Sequence, residues 1–307
     1  MSRFIEIPGH PVPTGAETKD FTTHDGARLR AAFFPAPQPR GTVVLAPGWA
    51  EFIEKYFETV ADLQSRGFNV AMMDWRGQGL SDRASPSATK WVGYFETITE
   101  DLRFFQEYEV RPRFGGPYIL MTHSMGGLPA LKLLASGYEG FSRAVLCAPM
   151  TQLFPKSQLG FYNGLATVLC GAGLARAHTA RSKNADVFDG NIFTHDKARH
   201  QMFVDLRAKE PMAANDPVTF GWVNAALKAT AAIHEPGALS GIKIPVLIIS
   251  AGEEQQIDGS DHQIIAEASE KISLVTIPGA LHEILMERDD LRALYWKAFD
   301  EFVGRPV

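Results

Sequence analysis

A chain of 307 residues, 45% hydrophobic and 21% charged, can bury one large core, or a core carrying an inserted subdomain. Its net charge of -5 and its lack of a basic patch argue against a nucleic-acid partner, because nothing stands ready to neutralise phosphates. The two cysteines, Cys147 and Cys170, give neither a metal-ligand spacing nor a disulfide framework, which fits a reducing, cytoplasmic setting.

Met1 to Pro13 holds three prolines and no long apolar stretch, so it does not read as a signal peptide. No run of about 18 apolar residues predicts a spanning helix. Lys19–Thr23 and Arg28–Phe34 flank His24-Asp25-Gly26-Ala27, a hairpin signal in which Asp-Gly supplies positive φ. Short apolar runs then follow at 42–46, 69–73, 117–121, 144–148, 246–250 and 272–277. Continuous rather than alternating runs suit strands buried on both faces, as in a parallel sheet. Helical patterns lie between them at 56–65, 97–108, 128–135 and 217–233, and a last one at 289–302. Strand and helix alternate, which predicts a doubly wound α/β sheet with its chemistry at the carboxyl ends of the strands.

The alternation breaks after residue 150. Residues 151–214 are expected to form a mostly helical cap inserted into a core domain of residues 1–150 and 215–307, because long insertions after strands usually serve function.

The segment Met121-Thr122-His123-Ser124-Met125-Gly126-Gly127 follows one apolar run and opens a helical one. Strand, tight turn and helix, with serine at the turn, is the layout of a nucleophile elbow. A serine hydroxyl is a poor nucleophile and must be presented to a base and a substrate together. The helix amino terminus places the Met125 N–H near a developing oxyanion. Thr122 stands where the usual pattern has glycine, so its β-carbon is expected to crowd the turn. The short motif also reads as a plain serine N-cap, and the rest of the chain separates the two.

A base is expected in Leu281-His282-Glu283-Ile284, after the last strand. His282 comes late in the chain, as the order nucleophile, acid, base requires. The other late histidine, His262, falls inside a helical pattern. The acid should lie just past 246–250, where Glu253, Glu254 and Asp258 compete. Glu254 is preferred at the turn, and Asp258 stays open as the alternative, its other role being to cap the next helix. A second oxyanion donor is expected in Pro47-Gly48-Trp49-Ala50-Glu51, from the Trp49 N–H beside that of Met125. Asp74-Trp75-Arg76-Gly77-Gln78-Gly79 is no phosphate cradle. Asp74 and Arg76 are expected to brace the floor of the site.

Taken together, Pro47 to Glu51 with Lys55-Tyr56, Asp74 to Ser81, His123 to Gly127, Glu253 to Asp258 and Gly279 to Ile284 resemble the α/β-hydrolase superfamily. Within it they are similar to the lysophospholipase and monoacylglycerol lipase family of serine hydrolases. The resemblance spans Gly41 to Arg288. It implies a mostly parallel eight-stranded sheet flanked by helices, with an inserted helical cap. It also implies Ser124, Glu254 and His282 as nucleophile, acid and base, with Glu where Asp is commoner. Pro47 stands where many members have His. The implied reaction is hydrolysis of a lipid ester, a lysophospholipid or a monoacylglycerol, with no metal or organic cofactor. The cap is the surface expected for peripheral membrane contact. Two other readings stay open: an aminopeptidase-like amide hydrolase, which needs an acid such as Asp186, Asp189 or Asp205 to seat the substrate amine, and a non-catalytic small-molecule binding module.

Overall fold

The computed structural model describes residues 3–82, 94–179, 186–213 and 217–304. Within them lies a sheet of eight strands: β1 (Glu17–Thr22), β2 (Arg28–Phe34), β3 (Gly41–Ala46), β4 (Phe68–Met73), β5 (Tyr118–His123), β6 (Arg143–Cys147), β7 (Val246–Ala251) and β8 (Ile272–Ile277). They stand in the order β1-β2-β4-β3-β5-β6-β7-β8. β2 runs antiparallel to β1 and to β4, and the remaining pairs are parallel.

Every residue of β3, β4 and β7 is buried. The reason is period two: Val44, Ala71, Leu120, Leu146 and Ile248 face one hydrophobic cluster, and Val43, Val70, Ile119, Val145 and Leu247 face another. The first cluster is completed by α2 (Tyr94–Phe104), α3 (Gly127–Ala135) and α6 (Phe220–Ile233). The second is completed by α1 (Phe57–Ser65) and α8 (Asp289–Val303). The edge strands β1 and β8 keep several exposed residues, as strands with one open side should.

Three elements depart from the sequence reading. The helix expected over 97–108 ends at Phe104 and continues as a π-helical turn, Phe105–Val110. Phe21 of β1 stacks on both Phe104 and Phe105, at 6.0 and 5.7 Å between ring centroids. The widened turn accompanies two consecutive rings that pack on one strand. β5 runs on to His123, two residues further than its apolar run. α6 starts at Phe220 rather than Pro217, because the Thr219 side chain accepts from the Trp222 N–H and caps it there.

Between β6 and β7 the chain carries α4 (Leu159–Gly171), α5 (Lys197–Lys209) and α6. α4 packs on α6, and α6 on α2 and α3. α5 packs through Phe203 and Leu206 on Phe52, Ile5 and Ala213. The domain boundary expected at 214/215 lies outside the described residues. The remaining helix, α7 (Asp261–Glu267), joins β7 to β8.

Candidate active site

β5 delivers its last residue, His123, in extended conformation, and Ser124 then turns to φ 48°. A left-handed serine is a strained position for an L-residue, and such strain clusters at functional sites. It lifts the side chain out of the strand direction just before Ser124–Gly126 forms a 3₁₀ turn leading into α3. Two glycines make the turn possible. A β-carbon on Gly126 would sit 2.7 Å from the Ala46 carbonyl oxygen, and one on Gly127 would sit 2.4 Å from the Pro149 Cβ. A β-carbon on Gly127 would stand 3.6 Å from Thr122 Oγ1, an ordinary contact, so it is Pro149 and not Thr122 that calls for glycine there. Thr122 is buried, and its hydroxyl lacks a partner among the described residues.

The structure brings Ser124, His282 and Glu254 together. Ser124 Oγ lies 2.8 Å from His282 Nε2, and His282 Nδ1 lies 2.7 Å from Glu254 Oε2. A carboxylate can only accept, so Nδ1 carries the proton and Nε2 is left to accept from the serine hydroxyl. Glu254 turns back on its own loop, and its Oε1 accepts from the Gln256 and Ile257 N–H groups. Burial pushes its carboxyl up, but the hydrogen bond and charge of His282 and these two N–H groups outweigh that, holding it below its ordinary value. Asp258 does not reach the imidazole. Its Oδ1 accepts from the Ser260 N–H and hydroxyl, a local turn before α7. His262 lies in α7, bonded to Ser250 and to the Pro149 carbonyl.

The loop 47–51 after β3 is fixed at several points. The Trp75 indole donates to the Pro47 carbonyl at 2.7 Å. The Gly48 N–H donates to the Glu51 carboxylate, and the Ala50 N–H to Gln78 Oε1 at 2.6 Å. Trp49 between them rests its ring on Trp222, 4.9 Å between centroids. Gly48 lies so close to the nucleophile that a β-carbon there would stand 3.1 Å from Ser124 Cβ. The Met125 side chain is buried, and Gln78 Nε2 lies 3.7 Å from its sulfur.

Behind the imidazole runs a buried charged network. Glu51 accepts from Lys55 Nζ at 2.7 Å, Tyr56 Oη at 2.5 Å and His123 Nδ1 at 2.9 Å. Lys55 also pairs with Glu283 at 2.7 Å. His123 Nε2 reaches the backbone carbonyl of His282 at 3.2 Å. Burial alone would raise the Glu51 carboxyl and lower His123, yet their mutual attraction wins on both sides. Glu51, with Lys55 adding to the pull, is held well below its ordinary value, and His123 above its own. Glu287 accepts from the Leu281 N–H and pairs with His195, and the Glu283 N–H donates to the Phe193 carbonyl.

Sequence reasoning missed the positions of His123, Gln78, Glu283 and Glu287 in this framework. For Glu283 and Glu287 the signal was a carboxylate on either side of the apolar run Ile284-Leu285-Met286. One expectation is corrected in part. Asp74 does brace the floor, accepting from the Ile53 and Leu80 N–H groups and from Arg30. Arg76 turns the other way, to Asp25 of the β1–β2 turn and Asp101 of α2, because those two carboxylates flank it.

A cavity of about 190 Å³ opens over the site, lined by Trp49, Ser124 and His282 and, from α5, by His200, Phe203 and Arg207. Among the described residues no three His, Cys, Asp or Glu side chains are grouped to hold a metal ion, and no helix is long and apolar enough to cross a membrane.

The family model described as "Serine aminopeptidase, S33" matches residues 37–289. Lysophospholipase L2 of Escherichia coli K12 is 29% identical over 316 residues, covering 93% of this chain and 87% of that protein. A monoacylglycerol lipase of Mycolicibacterium smegmatis is 23% identical, covering 82% and 85%. Among solved structures, the soluble variant of monoglyceride lipase from Saccharomyces cerevisiae superposes with a TM-score of 0.74 at 21% identity, covering 94% of this chain and 95% of that one. A carboxyl esterase from Bacillus coagulans gives 0.68 at 19% identity, covering 94% and 98%. With most of its length matched by one family model and its sheet shared with these structures, the chain belongs to the serine aminopeptidase S33 family of α/β-hydrolases.

Proposed function

We propose that this protein is a carboxylic ester hydrolase that cleaves lipid esters through an acyl-enzyme on Ser124. The observation that carries this reading is the continuous chain of contacts Ser124 Oγ–His282 Nε2 (2.8 Å) and His282 Nδ1–Glu254 Oε2 (2.7 Å) beneath an open cavity. His282 takes the serine proton as Ser124 Oγ attacks the ester carbonyl carbon. The Met125 and Trp49 N–H groups hold the oxyanion of the tetrahedral intermediate. The acyl C–O bond then breaks, and His282 returns the proton to the departing alcohol. Water, deprotonated by the same imidazole, attacks the acyl-serine, and the acid leaves with Ser124 restored. Glu254 keeps the imidazole in the reactive tautomer and balances its positive charge.

Support for a lipid substrate comes from the cap and from the relatives' names. Helix α4 carries no charged residue and exposes Phe161, Leu165 and Val168, with Leu174 just beyond it. Clustered exposed apolar residues of this kind suit contact with a lipid aggregate or membrane surface. The amide-cleaving alternative needs a carboxylate free to receive an amine. The two carboxylates lining the cavity, Glu51 and Glu283, are both committed to Lys55, and Asp186 is paired with Arg207.

The Ser124→Ala variant should lose fluorophosphonate labelling and fall in ester turnover by about 10⁴- to 10⁶-fold. Unchanged labelling of that variant would remove Ser124 as the nucleophile.

A further inference from the structure

We propose that Arg207 is a specificity-determining residue that recognises the phosphodiester of a lysophospholipid head group; this rests on the ester-hydrolase reading and names its substrate class. Arg207 lies on α5, four residues after Phe203, and both line the cavity that holds Ser124 and His282. Its guanidinium sits 4.7 Å above the Phe203 ring, which fixes its plane. Only one of its nitrogens is accounted for: Nη2 donates to Asp186 at 2.7 Å, while Nε is buried and has no partner among the described residues. A guanidinium carries five N–H donors in a fixed fork, shaped for two oxygens of one anion.

The charges facing this wall are Asp186, Glu51, Glu283 and Lys55. Glu51 and Glu283 share Lys55, and Glu51 is also paired with His123; Lys55 itself lies over the Phe203 ring, 4.6 Å from its centroid. Asp186 is 53% exposed, so its pair with Arg207 is a weak one that an incoming phosphate can replace or share. His200, seven residues before Arg207 on the same helix, also lines the cavity, and burial lowers its pKa. An uncharged glycerol head group offers the guanidinium no charge to pair with. A phosphodiester does, through a charge-assisted bond to the part of the Arg207 side chain that stays exposed in the cavity wall. The cavity volume, about 190 Å³, is below that of an ordinary ligand pocket of about 300–1,000 Å³. It therefore suits the head group, with the acyl chain lying outside it. In the reaction only the acyl C–O bond breaks; the glycerophosphodiester leaves as an alcohol carrying the proton from His282, its phosphate unchanged.

The test compares 1-oleoyl lysophosphatidylethanolamine with 1-monooleoylglycerol, which pass through the same oleoyl-enzyme, in identical detergent micelles. In Arg207→Gln the ratio of kcat/KM for the phospholipid to that for the monoglyceride should fall about 10- to 100-fold, with partial recovery in Arg207→Lys. Glycerophosphoethanolamine should inhibit monooleoylglycerol hydrolysis by the unmodified protein, and glycerol at equal concentration should not. An unchanged ratio, or equal inhibition by both, overturns the assignment. Hydrolysis of monooleoylglycerol alone overturns it while leaving the ester-hydrolase reading standing; turnover of neither ester, with no Ser124 labelling, removes both.

Discussion

Two serine–histidine pairs sit at the carboxyl end of this sheet, and they are built to opposite ends. Ser124 and His282 approach to 2.8 Å, Ser250 and His262 to 2.7 Å, so distance does not tell them apart. Their surroundings do. Ser124 stands at a left-handed turn, opens to a cavity and faces an imidazole whose other nitrogen meets a carboxylate. Ser250 lies within the regular strand β7. Its partner His262 donates Nε2–H to the Pro149 carbonyl, so Nδ1 accepts a hydrogen bond from the Ser250 hydroxyl. A carbonyl fixes a tautomer as well as a carboxylate does, but it carries no full charge to balance an imidazolium. The first pair can take up a proton during a reaction. The second satisfies buried polar groups and ties α7 to the strand ends.

The sharpest way to break this comparison is to take the charge away from the first pair. Glu254→Gln keeps the shape of the acid and removes its charge and its tautomer control. Ester kcat should fall about 10⁴-fold, as expected when the group orienting a catalytic imidazole loses its carboxylate. Asp258→Asn, which alters a local turn outside the contact chain, should leave turnover close to that of the parent protein. If Asp258→Asn caused the larger loss, the acid would have been placed on the wrong residue. Steady-state kinetics on a short p-nitrophenyl ester reads both.

A second test moves one layer back, to the network that holds the His282 backbone and the loop 47–51. Glu51→Gln leaves Lys55 and His123 buried with one carboxylate, Glu283, between them. Breaking a buried ion pair on one side costs about 3–5 kcal/mol. The contribution has a defined pH window. Glu51 is depressed in the folded state, so its share is complete above its ordinary value of 4.5 and is lost as pH falls through the lower folded value. His123 is raised, so its share is complete below 6.5 and is lost as pH rises through the higher folded value. Urea melts should therefore show the largest gap between parent and variant on a plateau from pH 4.5 to 6.5, closing on both sides. Parallel stability curves at all pH values would show that Glu51 is not ionised against His123.

The sheet was legible because its strands are buried on both faces: runs such as Val43-Val44-Leu45 and Val246 to Ile249 leave few other readings. That Ser124, His282 and Glu254 would meet was legible because each follows a strand end in a fixed order, and the fold brings strand ends together. Asp258 stayed open in the sequence since only the loop conformation, with Glu254 bonded to the Gln256 and Ile257 N–H groups, decides which carboxylate turns inward. The backing network was not legible. His123 and Glu51 lie 72 residues apart, and Lys55 and Glu283 further still, so no local pattern links them. The direction of Arg76 escaped for the same reason, its partners Asp25 and Asp101 lying on other elements.

The smallest effect belongs to the second serine–histidine pair, and its sign separates it from the first. His262→Ala removes two buried hydrogen bonds, one with the Ser250 hydroxyl and one with the Pro149 carbonyl, which keeps its bond from the Thr151 N–H; each is a loss of about 0.5–1.5 kcal/mol. Turnover of the folded variant should stay near that of the parent protein, because no proton in the proposed reaction passes through this residue. Burial lowers the folded-state pKa of His262. Its contribution is therefore complete above the ordinary value of 6.5 and is lost as pH falls through the folded value, since the unfolded chain takes up a proton that the buried ring refuses. His123 runs the other way, losing its contribution as pH rises. Thermal melts of His262→Ala against the parent protein should show a gap at pH 7.5 that narrows toward pH 5. A gap that widened on acidification would mean that His262 is held charged, and the contrast between the two pairs would collapse.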